Sequence, residues 1–443
     1  MANPVLEAAV EAIELDAFSK NIEDLIFEGA TFYSFAKKNF TSVPSSYITA
    51  GGATTRPSAR VPMRIQSGAP IAQGTGNGDG IGRGTGSQWQ SFSLSPVVVL
   101  AANEITWLAK KATEGKERGL FNVSAQELKN SLASATQGIE GLMNGDGSGE
   151  VDQIPTTATV SSNSGSGAQT SFISGLNVVA GFTDQQVVQI FPSEGGATRG
   201  TATISYVDPV SNTLYFSTVL PSTGGATQTG DYIMVNGCSG AVGSSILGLR
   251  AWQVNSNTGT LAGLNRANFP SRLSTPTINL NGGSVSPSVG NRALTLMGRA
   301  LGPDAESLEN AIWYTGPDQG MAINNLYYNV QVANAQEIKG DRALDMGRKF
   351  FSTTFCNRDL HISWTATPGR LDLFTPDTWY MFETSPLELY DFGGGMTVMP
   401  VPDVAGSGSY LTSYIMAYIA AFNLANSNVR AGCYVQNAGQ PTI

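Results

Sequence analysis

The chain has 443 residues, which is enough for two or three domains with separate cores. Charged residues make up only 13% of it, against about 25% in ordinary globular proteins. The net charge of −9 argues against a surface that grips nucleic-acid phosphates. So little charge suits a protein whose neutral faces are covered by other copies of itself, although a secreted β-rich protein is equally poor in charge.

Cysteine usage and the first residues indicate the compartment. The three cysteines are widely spaced and form neither a disulfide framework nor a metal knuckle, which favours a reducing compartment. Residues 1–4 lack the basic and apolar regions of a signal peptide, and the apolar stretch 414–425 is too short and too polar to span a bilayer. We therefore expect a product made in a cytoplasm, without a membrane partner.

The first element in the chain is an acidic helix. Residues 5–36 have the apolar spacing of an amphipathic helix. Over residues 1–40, seven acidic side chains and three lysines leave a net charge of −4. Glu7, Glu11 and Glu14 belong to this acidic surface.

A long glycine-rich ribbon follows in residues 46–92. Its glycines alternate from 74 to 86 without a phosphate-loop pattern, and the flanking segments 58–66 and 88–100 read as strands. A solitary hairpin is marginal in water, so we expect the ribbon to find its core on a neighbouring copy. Four arginines against Asp79 give the ribbon a net charge of +3: Arg56, Arg60, Arg64 and Arg83. They are either ordinary solvated charges or intersubunit partners for an acidic surface such as Glu7, Glu11 and Glu14.

The clearest helix covers residues 124–143. Ser124 and Glu127 form a capping box, and apolar residues recur every three or four positions along one face. The helix is expected to stop at residues 144–149, with the sequence Asn-Gly-Asp-Gly-Ser-Gly. That stretch imitates the start of an EF-hand loop, but Pro155 stands where the bidentate glutamate is needed, so a helix stop is favoured over calcium.

Residues 152–240 read as a separate, acidic, all-β insertion made of short alternating runs split by turn residues. Helical spacing returns at 286–302, with Ala293 and Met297 among its apolar positions, and a strand at 311–314 leads into Gly316-Pro317-Asp318. The remainder is expected to alternate strands and loops, and the apolar segment 410–425 fits a strand or a helix equally well. The overall class is α+β.

No set of residues reaches the standard of an active site. His361 is the only histidine, and a structural role on a strand is favoured. Cys356 lies five residues before it, which on one strand would put the two side chains on opposite faces. Asp341 and Asp345 lie beside basic residues in the sequence. A solvated face of ion pairs is therefore favoured over an acid–base pair. We therefore assign no catalytic residue, no metal site and no cofactor.

The order of these parts resembles that of the major capsid protein of tailed bacteriophages with the Hong Kong 97-type fold. The helix that ends in Leu142-Met143-Asn144-Gly145-Asp146-Gly147-Ser148-Gly149 is similar to that family's spine helix and its exit. Residues 289–324 look like the following helix and strand, and residues 387–436 look like the return strand.

The resemblance implies a division of the chain into the parts of that fold. Residues 1–45 would be an N-terminal arm and 46–97 an extended loop. The peripheral domain would comprise 98–151, 241–314 and 384–425, with 152–240 inserted. The axial domain would comprise 315–383 and 426–443.

It also implies a function. The chain would assemble as hexamers and pentamers into an icosahedral shell that encloses double-stranded DNA without sequence-specific binding. A portal protein, and scaffolding or decoration proteins, would be its partners, and it would reside in the virion after assembly in the host cytoplasm. The arm begins at residue 1, so we expect that scaffolding comes from a separate protein or that no scaffold is used.

Two other features separate this chain from some members. No lysine lies between Lys38 and Lys110, so no covalent crosslink from the extended loop is expected. The insertion is expected on the outer surface, where it adds intercapsomer contacts or meets host glycans. The alternative interpretation is a β-rich phage tail, decoration or adhesion protein, and a third, a hydrolase, lacks a catalytic set.

Overall fold

A computed structural model describes residues 31–50, 56–66, 86–106, 123–162, 171–302, 308–334, 354–393, 398–402 and 410–439. The acidic side chains Glu7, Glu11 and Glu14, the glycines 74–85 with Arg83, and the pair Asp341 and Asp345 lie outside these residues. The side chains of the capping box, Ser124 and Glu127, lie outside them as well.

Helices and strands are both present, as the α+β prediction requires. The helices in the described ranges are α1 (Thr31–Asn39), α2 (Val123–Asn144), α3 (Leu249–Trp252), α4 (Pro287–Leu301) and α5 (Pro317–Asn334). The strands before α2 are β1 (Thr41–Ser42), β2 (Ile48–Thr49), β3 (Ser58–Gln66), β4 (Gln88–Leu94) and β5 (Val97–Thr106). The next group is β6 (Glu150–Gln153), β7 (Thr159–Ser161), β8 (Ser171–Ser174), β9 (Val187–Phe191), β10 (Gly200–Asp208), β11 (Thr213–Phe216) and β12 (Tyr232–Val235). The last group is β13 (Thr260–Leu261), β14 (Leu264–Asn265), β15 (Thr277–Asn279), β16 (Ile312–Thr315), β17 (Thr354–Phe355), β18 (Arg358–Ile362), β19 (Leu371–Phe374), β20 (Trp379–Leu389), β21 (Val398–Pro402), β22 (Tyr410–Asn426) and β23 (Gly432–Gln436).

The largest core surrounds the 17-residue strand β22. It pairs with β5 on one side and with β20 and β21 on the other, and β1 extends this five-stranded sheet. Residues on both faces of β22 are buried: Phe422 and Leu424 on one face, and Ala421 and Ala425 on the other. Burial on both faces removes the alternation that marks a half-exposed strand, so periodicity could not separate strand from helix there.

Helix α2 packs its apolar stripe into the same core. Leu132, Ala135, Ile139 and Leu142 are at most 5% exposed, and they are four of the residues that defined the predicted apolar face. The predicted helix 124–143 is therefore confirmed to within one residue at each end.

A second core lies under the six-stranded sheet β15-β23-β19-β16-β18-β17. Helix α4 contributes Ala293, Met297 and Leu301 to it, as predicted. Strands β15 and β16 share this sheet with β17, β18, β19 and β23. Trp313 of β16 lies in the second core, whereas Ile312 and Tyr314 on its other face lie in the first. The expected domain boundary after residue 314 falls inside β16 (Ile312–Thr315), and the division of the chain into domains stays a prediction.

The inserted module is all-β, as predicted. Its seven strands are ordered β6-β12-β9-β10-β11-β8-β7, and neighbouring strands are antiparallel. The module has its own core, which includes Ile173, Ile190 and Leu214. The buried pair Arg199–Asp231, with Nε 2.7 Å from Oδ2, fixes the loop before β12.

Helix α5 was missed by the sequence analysis, which expected only strands and loops after residue 314. Pro317 occupies its first turn together with Asp318, both of which suit a helix N-terminus. Its apolar residues are spread around the axis, and Gln319 and Ile323 are both fully buried while Met321 is 41% exposed. The helical period was therefore too weak to see in the sequence.

The ribbon also differs from expectation. The predicted strand 88–100 is two strands, because the chain turns at Ser95-Pro96 and β5 joins the main sheet. The inner face of β3 and β4 is buried on the chain's own core through Ala59, Val61 and Phe92. The prediction that the ribbon must find its core on a neighbouring copy is therefore wrong for the described strands.

Candidate assembly surfaces

The outer face of the ribbon presents two of the predicted arginines. Strands β3 and β4 pair so that Arg60 lies opposite Ser93 and Arg64 lies opposite Trp89. The inner residues alternate with them, and Phe92 packs against Trp252 with the ring centroids 5.0 Å apart. Arg60 is exposed, Arg64 is half-buried and Trp89 is 60% exposed. Tryptophan and arginine are the residues most enriched where proteins bind one another.

Arg56 stands apart from that face. It is exposed, precedes β3 and lines a groove of about 250 Å³ at the base of the ribbon together with Pro96 and Val242. Of the four predicted contact arginines, the structure therefore places Arg60 and Arg64 on one face and Arg56 near its base. Arg83 and the three glutamates lie outside the described residues, so pairing between them stays a prediction.

The end of the predicted N-terminal arm is buried on its own chain. Helix α1 inserts Phe32 and Tyr33 into the main core. Phe40 stacks on Trp379 with 5.4 Å between ring centroids, and Phe32 lies 4.6 Å from the ring of Tyr314. The segment that leads into the ribbon is therefore anchored where the two main sheets meet.

A buried polar network attaches α1 and the second sheet to the long helix. Glu140 of α2 is 3% exposed, and its Oε1 accepts the backbone N–H of Phe32 at 3.2 Å and the hydroxyl of Ser363. One turn later, Asn144 Nδ2 donates to Thr365 Oγ1 at 3.0 Å. Sequence reasoning missed this network, although two polar residues four positions apart beside the apolar stripe were a signal for it.

The predicted helix stop is confirmed by its geometry. Asp146 Oδ1 accepts the N–H of Ser148 at 2.9 Å, and Gly147 and Gly149 have φ values of 92° and 90°. These are left-handed conformations that favour glycine. The chain returns from the inserted module to the same turn, because Gly243 and Ser245 both donate their N–H to the carbonyl of Gly147 at 2.9 Å.

Carboxylates gather beside this turn. Asp146, Glu150 and Glu194 have oxygens within 4.8 Å of one another, and Arg250 contacts Glu150 at 3.4 Å. Burial raises the pKa of Glu150, while Arg250 opposes the rise. The described arrangement is an ion pair between the inserted module's first strand and α3, with two further acids beside it.

His361 lies on strand β18, as predicted, with its ring 4.7 Å from that of Phe35 in α1. Burial lowers the pKa of His361, and Asp359 opposes that effect. Cys356 is not on this strand: it has a φ of 49° in the turn between β17 and β18, and its Sγ lies 3.6 Å from the carbonyl of Pro287. The strand argument that separated Cys356 from His361 was therefore wrong. Cys356 contacts α4, whereas His361 contacts α1.

No helix in the described part of the chain is long and apolar enough to cross a membrane.

The comparisons with known proteins give structural matches alone. No known protein family and no curated protein matches the sequence. The capsid asymmetric unit of cyanophage A-1(L) is 9% identical, covers 90% of this chain and 94% of its own, and has a TM-score of 0.49. The capsid of the native GTA particle is 10% identical, with 91% and 90% covered and a TM-score of 0.41. The capsid of Myoviridae phage XM1 is 11% identical, with 90% of each chain covered and a TM-score of 0.41.

Proposed function

We propose that this chain is a major capsid protein that assembles as hexamers and pentamers into the icosahedral shell of a tailed phage. One observation carries the proposal: a long helix packs on a sheet whose central strand, β22, pairs with the strand that follows the basic ribbon and leads by a short link into a second sheet. The strand pairs with β5, which leaves the ribbon, and it leads within a few residues to β23 of the second sheet. Only five residues separate the end of β22 at Asn426 from the start of β23 at Gly432, and this short link holds the two sheets close together, as the wall of a container requires.

The parts of the shell subunit follow from the two cores. The five-stranded sheet with α2 would be the peripheral domain, and the six-stranded sheet with α4 and α5 would be the axial domain around the capsomer centre. We assign residues 277–314, expected in the peripheral domain, to the axial domain, because β15 and β16 belong to its sheet and Ala293, Met297 and Trp313 to its core. The N-terminal arm and the ribbon tip would reach neighbouring copies.

The role is structural, and the contents of the shell would be double-stranded DNA held without sequence-specific contacts. The net charge of −9 supports this, because an acidic wall does not retain DNA during packaging or release. Pairing of Arg56, Arg60, Arg64 and Arg83 with Glu7, Glu11 and Glu14 of a neighbour would set the register between subunits. We propose a portal protein and separate scaffolding or decoration proteins as partners of this chain in the shell.

Negative-stain electron microscopy of the purified protein tests this proposal. Uniform closed particles are the expected result. Fibres or trimers would favour a tail, decoration or adhesion protein, and small monomers at high concentration would contradict assembly altogether. Particle diameter from the same images would give the number of copies per shell.

A further inference from the structure

One face of the inserted module carries a row of aromatic side chains. Phe172 on β8, Tyr215 on β11 and Tyr206 on β10 are adjacent across the three strands, with 6.1 Å between successive ring centroids. Their neighbours along the strands, such as Ile173 and Leu214, point into the module's core. The row therefore lies on the opposite, outer face of the sheet.

A β-bulge places the most exposed member of this row. The pairing of β10 with β11 shifts between Ile204 and Tyr206, so that Ser205 is an extra residue. Ile204 is fully buried, whereas Tyr206 is 46% exposed. Bulges of this kind re-aim a side chain, and here the bulge brings Tyr206 into line with Tyr215.

Two carboxylates stand at the Tyr206 end of the row. Asp184 Oδ1 accepts the N–H of Val207 at 2.8 Å. Asp208 accepts the hydroxyl of Ser211 at 2.6 Å and the N–H of Val210 at 2.9 Å, and these hydrogen bonds lower its pKa. Asp184 is thus held at the residue that follows Tyr206, and Asp208 lies two residues beyond Tyr206 on the same strand.

The surface charge of the module has a single sign. Asp184, Glu194 and Asp208 are its solvent-accessible acids. Arg199 is the only base between residues 152 and 240, and it is 5% exposed and paired with Asp231. The row is named the acidic aromatic face, consisting of Phe172, Tyr206, Tyr215, Asp184 and Asp208.

We propose that the acidic aromatic face receives the arginines Arg60 and Arg64 of the ribbon of a second copy of this chain. Charge complementarity supports this occupant, because the ribbon carries a net +3 and the module, with five acids and one base over 152–240, carries −4. Every base of the ribbon is an arginine, and guanidinium groups stack on aromatic rings better than ammonium groups do.

The spacing also fits. Arg60 and Arg64 lie on one face of β3, and four residues of strand span about 13 Å. Two centroid separations of 6.1 Å give the aromatic row nearly the same length. The inference rests on the proposed shell, because it requires copies of the chain to meet.

A double-mutant cycle in assembled particles tests the pairing. Asp184→Asn with Asp208→Asn keeps the side-chain oxygens that accept local hydrogen bonds and removes the charge. We expect this variant, and Arg60→Gln with Arg64→Gln, each to lower the salt concentration of half-dissociation by about twofold, since each removes weak pairs repeated over many copies. Because both carboxylates stand at one end of the row, combining the four changes should cost less than the sum of the two separate losses. The matched controls, Glu194→Gln and Arg292→Gln, alter an exposed acid and an exposed arginine elsewhere and should leave the midpoint unchanged.

Zero-length carbodiimide crosslinking identifies the partners directly and does not depend on particle stability. Arg60→Lys places the only lysine between residues 38 and 110. In an equal mixture of nitrogen-15-labelled and unlabelled chains, we expect links from position 60 to Asp184 or Asp208 between differently labelled chains. Arg292→Lys is the matched control and should give no such link.

The outcomes separate this inference from the proposed function. Closed particles without the link from position 60, or with fully additive losses in the cycle, would overturn the pairing and indicate another occupant, such as a glycan or a basic segment of a different protein. Monomers alone would overturn both proposals, and electron microscopy of the same sample shows which case applies.

Discussion

Glu140 joins three parts of the chain through one buried carboxylate. It belongs to α2 and accepts hydrogen bonds from α1 and from the loop after β18. Helix α2 therefore does more than fill the core, because it also positions the segment that leads to the ribbon. Buried polar groups of this kind are costly to leave unpaired.

Removing the Glu140 carboxylate should destabilise the chain. Glu140→Ala leaves the N–H of Phe32 and the hydroxyl of Ser363 without this acceptor, at about 1–3 kcal/mol for each buried group. Glu140→Gln keeps a side-chain oxygen and should lose less. Urea unfolding measures both variants. If both variants lost the same free energy of unfolding, the hydrogen bonds from Phe32 and Ser363 would contribute nothing, and only the loss of the charge would matter.

Two carboxylates of the inserted module should respond to pH in opposite directions. Burial raises the pKa of Asp152, although the backbone N–H groups of Val178 and Asn177 oppose the rise. The folded state then binds a proton more tightly than the unfolded state, so this group's stabilisation is present at low pH and is lost as pH rises through the raised pKa. The hydroxyl of Ser211 and nearby backbone N–H groups lower the pKa of Asp208, so its stabilisation is lost as pH falls through the lowered value.

The pH dependence of the free energy of unfolding, measured by urea between pH 3 and pH 7, checks both signs. Relative to the unmodified chain, Asp152→Asn should remove a downward slope with rising pH, and Asp208→Asn should remove an upward slope. Each variant is the control for the other. Slopes that change in the same direction would contradict the assignment.

At the scale of elements, the sequence predicted well wherever one face of an element is buried. Helices α2 and α4 show the helical period because their apolar residues form one stripe. The sequence left β22 undecided between strand and helix, because its burial is two-sided, and it did not show α5, whose buried residues are spread around the axis. The prediction failed at the ribbon, because the sequence does not show that Phe92 meets Trp252, which is 160 residues away.

The candidate surfaces were predicted less completely than the fold. The arginines of the ribbon were named as candidates because charge is visible in the sequence, and their intersubunit contacts stay a prediction. The acidic aromatic face was not found, because Phe172, Tyr206 and Tyr215 are far apart in the chain and align only through strand register and a bulge. The Glu140 network depends likewise on contacts with residues more than 100 positions away.

The backbone of Gly248 packs closely against the end of α2, which gives a prediction for Gly248 and for a control glycine. A Cβ on Gly248 would lie 2.2 Å from the backbone oxygen of Met143, which cannot move without distorting the helix end. Gly248→Ala should therefore lower the thermal midpoint, at a cost of about 1–3 kcal/mol or more. Gly138→Ala, at an open position within α2, is the matched control and should be neutral or stabilise the chain by up to about 1 kcal/mol. A Gly248→Ala midpoint equal to that of the control would contradict the packing at this turn.

At the scale of the whole molecule, assembled particles should be held together without covalent bonds from the ribbon. No lysine lies between Lys38 and Lys110, so this segment offers no amine for an isopeptide bond. Particles boiled in detergent should therefore give a single band near 46.5 kDa on a denaturing gel. A ladder of multiples would show that another part of the chain forms such bonds.

The burial of the ribbon's inner face changes how assembly is expected to proceed. Because Val61 and Phe92 are covered within the chain, a subunit presents mainly polar and basic groups from the described ribbon strands. Contacts made by such groups are weak and salt-dependent. In the proposed shell, subunits joined in the wrong register could therefore separate and bind again.

The inserted module begins shortly after Gly147, and the chain that returns from it donates the N–H groups of Gly243 and Ser245 to the carbonyl oxygen of Gly147. The two ends of the module, at Gly147 and Gly243, therefore lie as close together as the ends of a tight loop. A foreign domain with adjacent ends could thus be spliced in at that position while the two main cores fold as before. Each particle would then exhibit as many copies of the guest as it has subunits, at a spacing fixed by the lattice.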